Sequence, residues 1–236
     1  MLAPDETARG LTAVPFARTA LVFITSKRKP NSIKSSEITS IFKSSNPKWA
    51  DGSPINLILR TRFDGDTLLL EQSFVDMHDA IDEARKRTEL PIAATDQDSA
   101  DLAESLAGSF VQGGLGQIVA EKRNLRFVPI DDVEPSLANL ESGKYPYDKI
   151  FYLVFPAKNK ASAERLLDFI KSTEGRAILR ATGNLPATET TAEGVETKEQ
   201  LARLTKEGCN EVQGYFFSPP RPAAEVEHIL NEMAHG

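Results

Sequence analysis

Short apolar stretches alternate with amphipathic stretches along most of this chain, and that alternation limits the folds available to it. Stretches typical of β-strands fall at Leu11–Thr25, Pro54–Arg60, Leu90–Thr95, Leu125–Ile130 and Ile150–Phe155. Helical stretches separate or follow them: Ser35–Phe42, Leu68–Phe74, Met77–Arg87, Asp96–Ala107, Pro135–Leu140, Ala161–Lys171 and Glu174–Ala181. We place the first helix cap at Ser35 and a break in the first strand at Pro15. The pattern predicts an α/β protein with mostly parallel strand pairing.

The composition is that of a globular protein and excludes several classes of function. Hydrophobic residues make up 40% of the 236 residues, charged residues make up 26%, and the net charge is −6. Because no basic stripe offsets this negative charge, nucleic-acid binding through phosphate neutralisation is not expected. With three histidines and Cys209 as the single cysteine, the chain has few soft metal ligands and no intrachain disulfide. We therefore predict neither a metal nor a cofactor.

The most informative cluster of polar residues lies where the second predicted strand ends. Arg60 closes that strand, and Asp64, Gly65, Asp66 and Thr67 follow shortly before a helical stretch. A helix start offers free backbone amides and the positive end of the helix dipole, and a neighbouring guanidinium can hold two oxygens at once. Asp66 would repel an anion unless the ligand carries a proton for the carboxylate to accept, as hydrogen phosphate does and sulfate does not. The cluster is therefore a candidate oxyanion site.

A plainer interpretation of these residues stays open at this point. Asp64 or Asp66 can serve as an ordinary helix cap, and Arg60 can be a solvated strand end. The stretch that contains Gly114 and Gly116 is similarly ambiguous, because glycines before a helix can admit a ligand or simply form a turn.

Five stretches, taken in order, resemble one known family. They are Leu11–Ala17, Ser36–Phe42 with Trp49, Arg60 with Asp64–Thr67, Gly143–Tyr147, and Ser172–Leu179 with Gly183 and Pro186. In this combination they are similar to the substrate-binding proteins of phosphate-type ABC transporters, which are two-lobed periplasmic binding proteins of type II. The resemblance implies an α/β, periplasmic-binding-protein type II-like fold and binding of phosphate or a related oxyanion. The ligand-binding residues that we predict are Arg60, Asp64, Asp66, Thr67, Gly114 and Gly116.

Two departures from the family's pattern modify this expectation. Gly65 stands where the family commonly has a serine hydroxyl that faces the ligand. The family's usual first strands and helices, which supply half of the ligand's hydrogen bonds, have no counterpart here. We therefore expect an incomplete first lobe, weak affinity, and self-association through exposed apolar edges. The resemblance also implies an ABC transporter permease as a partner.

The expected location is ambiguous. The family resemblance implies the periplasm, whereas Met1–Glu6 shows no basic start followed by an apolar stretch, as a signal peptide would. The longest apolar run, Thr19–Ile24, has the length of a strand rather than of a membrane span. As encoded, the chain is expected in the cytoplasm.

The end of the chain carries a second resemblance. Ala192–Thr197, Glu199–Leu201, Gly208–Cys209, Val212–Ser218 and Pro220 look like the end of an EAL domain, the barrel of cyclic-di-GMP phosphodiesterases. By position, Glu193 corresponds to a late active-site glutamate and Gln213 to a late glutamine of that family. The other metal-binding carboxylates and the catalytic lysine have no counterpart, and two-metal hydrolysis needs several carboxylates that converge on the ions. We predict no catalysis and no metal at this remnant.

The domain organisation that follows has two parts, a solute-binding domain over residues 1–188 and an EAL-domain fragment with a short βαβ arrangement over residues 189–236. The favoured function is binding of phosphate or a related oxyanion. Two alternatives remain: a catalytically inactive cyclic-di-GMP signalling protein with a binding-protein-like sensor, and a rearranged fragment without independent function.

Overall fold

One long strand, β1 (Leu11–Thr25), organises the first of two units. The computed structural model describes residues 9–187, 191–192, 195–200 and 211–212. The chain divides into units of residues 1–187 and 188–236. Within the first unit we call residues 21–147 the central lobe, and residues 9–20 with 148–187 the ribbon lobe. β1 passes from the ribbon lobe into the central lobe.

Each neighbour of β1 in the sheet runs antiparallel to it. Its first part pairs with β7 (Asp148–Pro156), and its second part pairs with β5 (Ser109–Gly114) and then with β6 (Arg126–Phe127). A fourth strand, β8 (Leu185–Pro186), pairs with β1 at Ala17 and Arg18. The expected break at Pro15 is a register shift inside a continuous strand. Proline removes one ladder donor there without ending the strand.

Among the described residues, parallel pairing is limited to ladders of two residues, so the expectation of mostly parallel pairing is wrong. β2 (Asn56–Leu57) pairs in parallel with β5, and β3 (Leu59–Arg60) pairs in parallel with β4 (Ile92–Ala93). The single strand expected over Pro54–Arg60 is thus divided between two sheets. Alternation of strands and helices indicates the fold class, but it does not fix whether neighbouring strands run parallel or antiparallel. That direction depends on where each connection enters the sheet, and here both lobes contribute strands that pair with β1.

Eight α-helices are described, and seven of them lie close to the predicted stretches. The eight helices are α1 (Ser35–Lys43), α2 (Gly65–Ser73), α3 (Met77–Arg85), α4 (Asp96–Ser105), α5 (Leu115–Ala120), α6 (Leu137–Glu141), α7 (Lys160–Lys171) and α8 (Thr173–Ala181). The exception is α5, which contains Gly116, a residue that was expected before a helix rather than inside one.

The cap that the sequence placed at Ser35 differs in the structure. Lys34 is the cap residue of α1, and Ser35 is the first helical residue, whose amide donates to Asp131 Oδ1 at 3.0 Å. The carboxylate that satisfies this free amide therefore comes from a distant turn rather than from the preceding residue. At α4 the cap residue is Thr95, whose hydroxyl accepts from the amide of Asp98.

The hydrophobic core is concentrated in the central lobe. Phe23 stacks on Phe110 with ring centroids 4.4 Å apart, and Trp49 meets Phe110 edge-on. In the ribbon lobe, by contrast, the buried apolar side chains are few and scattered: Ala17, Ala20, Phe155, Ala163, Leu167 and Leu185.

In the described residues of the second unit, β9 (Thr191–Ala192) pairs in parallel with β10 (Glu211–Val212). Glu193 and Gln213, the two residues singled out for their EAL positions, lie outside the described residues. Across the described ranges of both units, no helix is long and apolar enough to cross a membrane.

Candidate functional site

Arg60 ends β3 with a buried side chain, so it is not a solvated strand end. Its side chain is 3% exposed, and its Nη1 donates to Ser99 Oγ at 2.8 Å. The same nitrogen lies 2.9 Å from Asp96 Oδ1, and Nη2 donates to Asp64 Oδ2 at 2.5 Å. The pairing of β3 with β4 carries Arg60 to the start of α4, which presents Asp96 and Ser99.

The start of α2 faces this guanidinium. Asp64 caps the helix, because its Oδ1 accepts from the amide of Asp66 at 3.0 Å while its other oxygen holds Arg60. Thr67 is buried and donates its hydroxyl to the carbonyl of Thr61 at 3.0 Å. Gly65 is open, since a Cβ added there would meet no atom within 4 Å. The helix-cap interpretation of Asp64 and its place beside Arg60 are therefore both correct.

Asp66 is the most unusual residue of the cluster. Its side chain is 1% exposed, and its Oδ2 has no hydrogen-bond partner within the described ranges. The ammonium of Lys149 lies 2.6 Å from Oδ1, a charge-assisted contact that leaves Oδ2 without a donor. Burial raises the pKa of Asp66 above its usual value, and the positive charge of Lys149 offsets part of that rise. A buried carboxylate with unused acceptor capacity is costly unless a further donor reaches it.

Besides Asp96 and Ser99, which contact Arg60, sequence reasoning missed Lys149 as a residue of this site. It stands on β7 opposite Thr19 of β1, and its ammonium also lies 3.4 Å from Asp96 Oδ2. Burial lowers the pKa of Lys149, but the carboxylates of Asp66 and Asp96 more than reverse that effect, so the amine remains charged. The only sign of it in the sequence is a lysine at the start of an apolar strand. Such lysines are too common to identify a binding site.

The charged groups form a continuous series that crosses from one lobe to the other. The order is Asp64, Arg60, Asp96, Lys149 and Asp66, with each neighbouring pair in contact. Three carboxylates surround two cations, so the series carries an excess negative charge when every group is ionised. Such a series can take up a proton, or a ligand that brings one. Within the described ranges, no group of three or more metal-ligating side chains is arranged to hold an ion.

The two predicted glycines contact a different set of residues. A Cβ on Gly114 would lie 3.4 Å from the methyl group of Thr19. The amide of Gly116 donates to Thr19 Oγ1 at 2.8 Å, and a Cβ there would lie 2.5 Å from Asn184. Close packing between α5 and the loop before β8 thus explains Gly116, and its role in lining a ligand cleft stays a prediction.

Comparison with known proteins identifies the family. The sequence model of the PBP superfamily domain matches residues 1–174. The chain belongs to the PBP superfamily. A phosphate ABC transporter substrate-binding protein from Clostridium perfringens, solved with bound phosphate, superposes with a TM-score of 0.65 at 19% identity, covering 80% of this chain and 76% of that one. A phosphate-binding protein called PfluDING, also solved with phosphate, gives a TM-score of 0.57 at 12% identity over 75% of this chain and 68% of its own. The predicted binding-protein fold is confirmed.

The second predicted resemblance is confirmed as well. The EAL domain model matches residues 160–220 and so overlaps the first match. Oxygen sensor protein DosP of Escherichia coli is 63% identical over 42 residues, which are 18% of this chain and 5% of DosP. Uncharacterized protein y4lL of Sinorhizobium fredii is 35% identical over 123 residues, which are 50% of this chain and 14% of y4lL. The chain therefore spans only a small part of the curated relatives that it matches.

Proposed function

We propose that the first unit binds phosphate or a related small oxyanion at Arg60 and the start of α2. The observation that carries this proposal is the Asp66 carboxylate, which is buried near a buried guanidinium and whose Oδ2 has no hydrogen-bond donor among the described residues. Hydrogen phosphate supplies the missing donor through its own O–H group and accepts from amides and the guanidinium with its other oxygens. The solved proteins of this fold that carry phosphate support the same ligand class.

Several donors near Asp66 remain for such a ligand. The first amides of a helix have no partner inside the helix, and of those in α2 only the amide of Asp66 is taken by the cap. Arg60 Nε is buried and has no hydrogen-bond partner among the described residues. Arg60 is already neutralised by Asp64 and Asp96, however, so an anion gains less attraction than a free guanidinium would give. We therefore propose weak binding.

Calorimetry of the purified chain with phosphate, and with sulfate as the control anion, tests this site. Replacing Arg60→Ala should weaken phosphate binding by about 30-fold or more, as for other buried charged contacts to a ligand. The control is Arg62→Ala, because Arg62 is 53% exposed in its side chain and pairs with Asp82 instead. Phosphate binding that is unchanged by Arg60→Ala in a folded protein would overturn the assignment.

A variant that adds a donor tests the same site in the opposite direction. Because a Cβ at Gly65 meets no atom within 4 Å, Gly65→Ser should fold normally and place a hydroxyl at the start of α2. An added hydrogen bond to an ionised ligand should tighten phosphate binding by roughly tenfold. Unchanged affinity would mean that the ligand does not approach this turn.

We further propose a partner for the exposed apolar face of the ribbon lobe, namely a second copy of the chain. The face comprises Ile150, Tyr152 and Val154 on β7, which are exposed although apolar. In the described residues β7 pairs with β1 alone, so its other edge can accept a strand. Two identical strands that pair antiparallel generate a two-fold dimer. A permease partner, implied by the family, stays a proposal of its own.

For the EAL region we propose that the chain does not hydrolyse cyclic-di-GMP. The match covers residues 160–220, and the metal-binding carboxylates that the reaction needs have no counterpart in the sequence. The alternative, a signalling role, is favoured by the EAL domain match and by the identity to an oxygen sensor protein, DosP, over 42 residues. Incubation with cyclic-di-GMP and Mg²⁺ or Mn²⁺ tests the absence of hydrolysis, since any linear dinucleotide that depends on Glu193 would contradict the proposal.

A further inference from the structure

Lys149 reaches the candidate site from a different lobe than the other charged groups. It lies on β7 in the ribbon lobe, whereas Arg60, Asp66 and Asp96 belong to the central lobe. Its side chain is 17% exposed, and its ammonium contacts Asp66 at 2.6 Å and Asp96 at 3.4 Å.

Several charged groups face Asp66, and among the described residues Lys149 is the one cation in contact with it. The charged groups that face Asp66 are Lys149 on β7, Asp96 on α4, Asp64 at its own helix cap, and Arg60 on β3. The two carboxylates oppose its ionisation, and Arg60 is held in contact with Asp64 and Asp96 rather than with Asp66. Of the described side chains, Lys149 is the cation that pairs with Asp66.

We propose that Lys149 is a positioning residue that keeps Asp66 ionised, and that it thereby makes the site select an oxyanion that carries a proton. The inference rests on the proposed oxyanion function. An ionised carboxylate is a pure acceptor, so it bonds to hydrogen phosphate but meets only acceptor oxygens on sulfate. Without Lys149, burial favours the protonated carboxyl, which can donate to sulfate. Lys149 therefore determines which class of anion the site accepts.

Calorimetric titration of Lys149→Met with phosphate and with sulfate, near neutral pH, tests the proposal. The ratio of phosphate to sulfate affinity should fall by about tenfold or more, mainly because sulfate binding improves, as expected for the loss of one charge-assisted contact. Lys149→Arg should keep the selectivity of the unmodified protein. Lys158→Met, which removes an exposed lysine of the same lobe, is the matched control.

A double-substitution cycle separates this role from a general effect on the fold. Asp66→Asn removes the ionisable group and should also admit sulfate. Adding Lys149→Met to Asp66→Asn should then leave the anion ratio unchanged, because Lys149 has no carboxylate at position 66 to hold ionised. A purely structural lysine would lower both affinities by the same factor in both backgrounds, which overturns the proposal.

The ligand-free protein provides a readout that does not depend on the proposed function. A buried acid whose folded pKa exceeds its unfolded value binds more protons when folded, so it adds stability at low pH that is lost as pH rises through the folded pKa. Lys149→Met should move that loss to higher pH, and Asp66→Asn should remove it. Suppose that calorimetry detects no phosphate binding, or binding that Arg60→Ala leaves unchanged, while the shift in the pH dependence of stability still appears. In that case the proposed function is wrong, but the effect of Lys149 on the ionisation of Asp66 stands. If phosphate binding depends on Arg60 but Lys149→Met changes neither the pH dependence of stability nor the ratio of phosphate to sulfate affinity, the role of Lys149 is wrong and the proposed function stands.

Discussion

The two lobes of the first unit share one strand but differ in what covers it. In the central lobe β1 is buried on both sides, and its last residues pack against Phe110 and its aromatic neighbours. In the ribbon lobe the same strand is paired along its length with β7, yet most side chains of Leu11–Phe16 stay only partly buried. Backbone pairing alone therefore does not bury a strand, since burial requires a further layer on each face.

The exposed apolar residues show where such a layer is lacking. Six large apolar side chains of the ribbon lobe are between 39% and 49% exposed: Ile150, Tyr152, Val154, Leu166, Phe169 and Ile178. Three of them alternate along β7 and so share one face of the β1–β7 ribbon. The central lobe should accordingly supply most of the folding free energy, and the ribbon lobe should depend on it.

The largest expected effect is a difference between the two lobes in the cost of losing an aromatic ring. Phe110→Ala should lower the free energy of unfolding by about 3–5 kcal/mol, because the ring is fully buried and leaves a cavity against Phe23. Tyr152→Ala, the matched change in the ribbon lobe, should lower it by less than about 1 kcal/mol. Urea unfolding of both variants measures the contrast, and equal costs would contradict it.

The sequence was sufficient for the fold class and for most element positions. Periodicity placed the helices within a few residues of their observed bounds, and the alternation of elements indicated an α/β protein. The sequence patterns did not predict that β5 and β7 both run antiparallel to β1. They also did not predict that Asp131, nearly a hundred residues away, accepts a hydrogen bond from the first amide of α1. Such pairings depend on tertiary contacts that local patterns do not encode.

The candidate site was predictable only where its residues are neighbours in the sequence. Arg60, Asp64, Asp66 and Thr67 are close together in the chain, and the structure brings them to the start of α2 as expected. Lys149 was not predictable, because the pairing of β7 with β1 brings it to Asp66 from more than eighty positions away. A charged residue becomes part of a site through such long-range pairing, which one sequence does not reveal.

An intermediate effect is expected where the two lobes are joined by a buried hydroxyl. Thr19 is fully buried, donates to the carbonyl of Gly183 and accepts from the amide of Gly116, both at 2.8 Å. Thr19→Val leaves both backbone groups without this partner and should cost about 1–3 kcal/mol in the free energy of unfolding. Arg180→Ala is the control, because it removes an exposed ion pair to Glu141 that also joins the lobes and should leave the urea midpoint unchanged. A cost no larger than that of the control would show that the hydroxyl does not hold the lobes together.

The smallest effect on stability should accompany a clear effect on assembly. Val154 is 47% exposed, so Val154→Lys should change the free energy of unfolding by less than about 1 kcal/mol. If β7 pairs with β7 of a second copy, the introduced charges face an apolar surface and repel each other, and the dimer should dissociate. Sedimentation velocity over a concentration series up to about 100 μM, a range that detects micromolar association, measures the dissociation of this dimer.

Val75→Lys provides the control, because Val75 is an exposed valine of the central lobe and its replacement should leave assembly unchanged. A monomeric parent protein, or equal dissociation by both substitutions, would mean that the ribbon lobe tolerates its exposed face without a second copy, and that the difference between the lobes is one of stability alone.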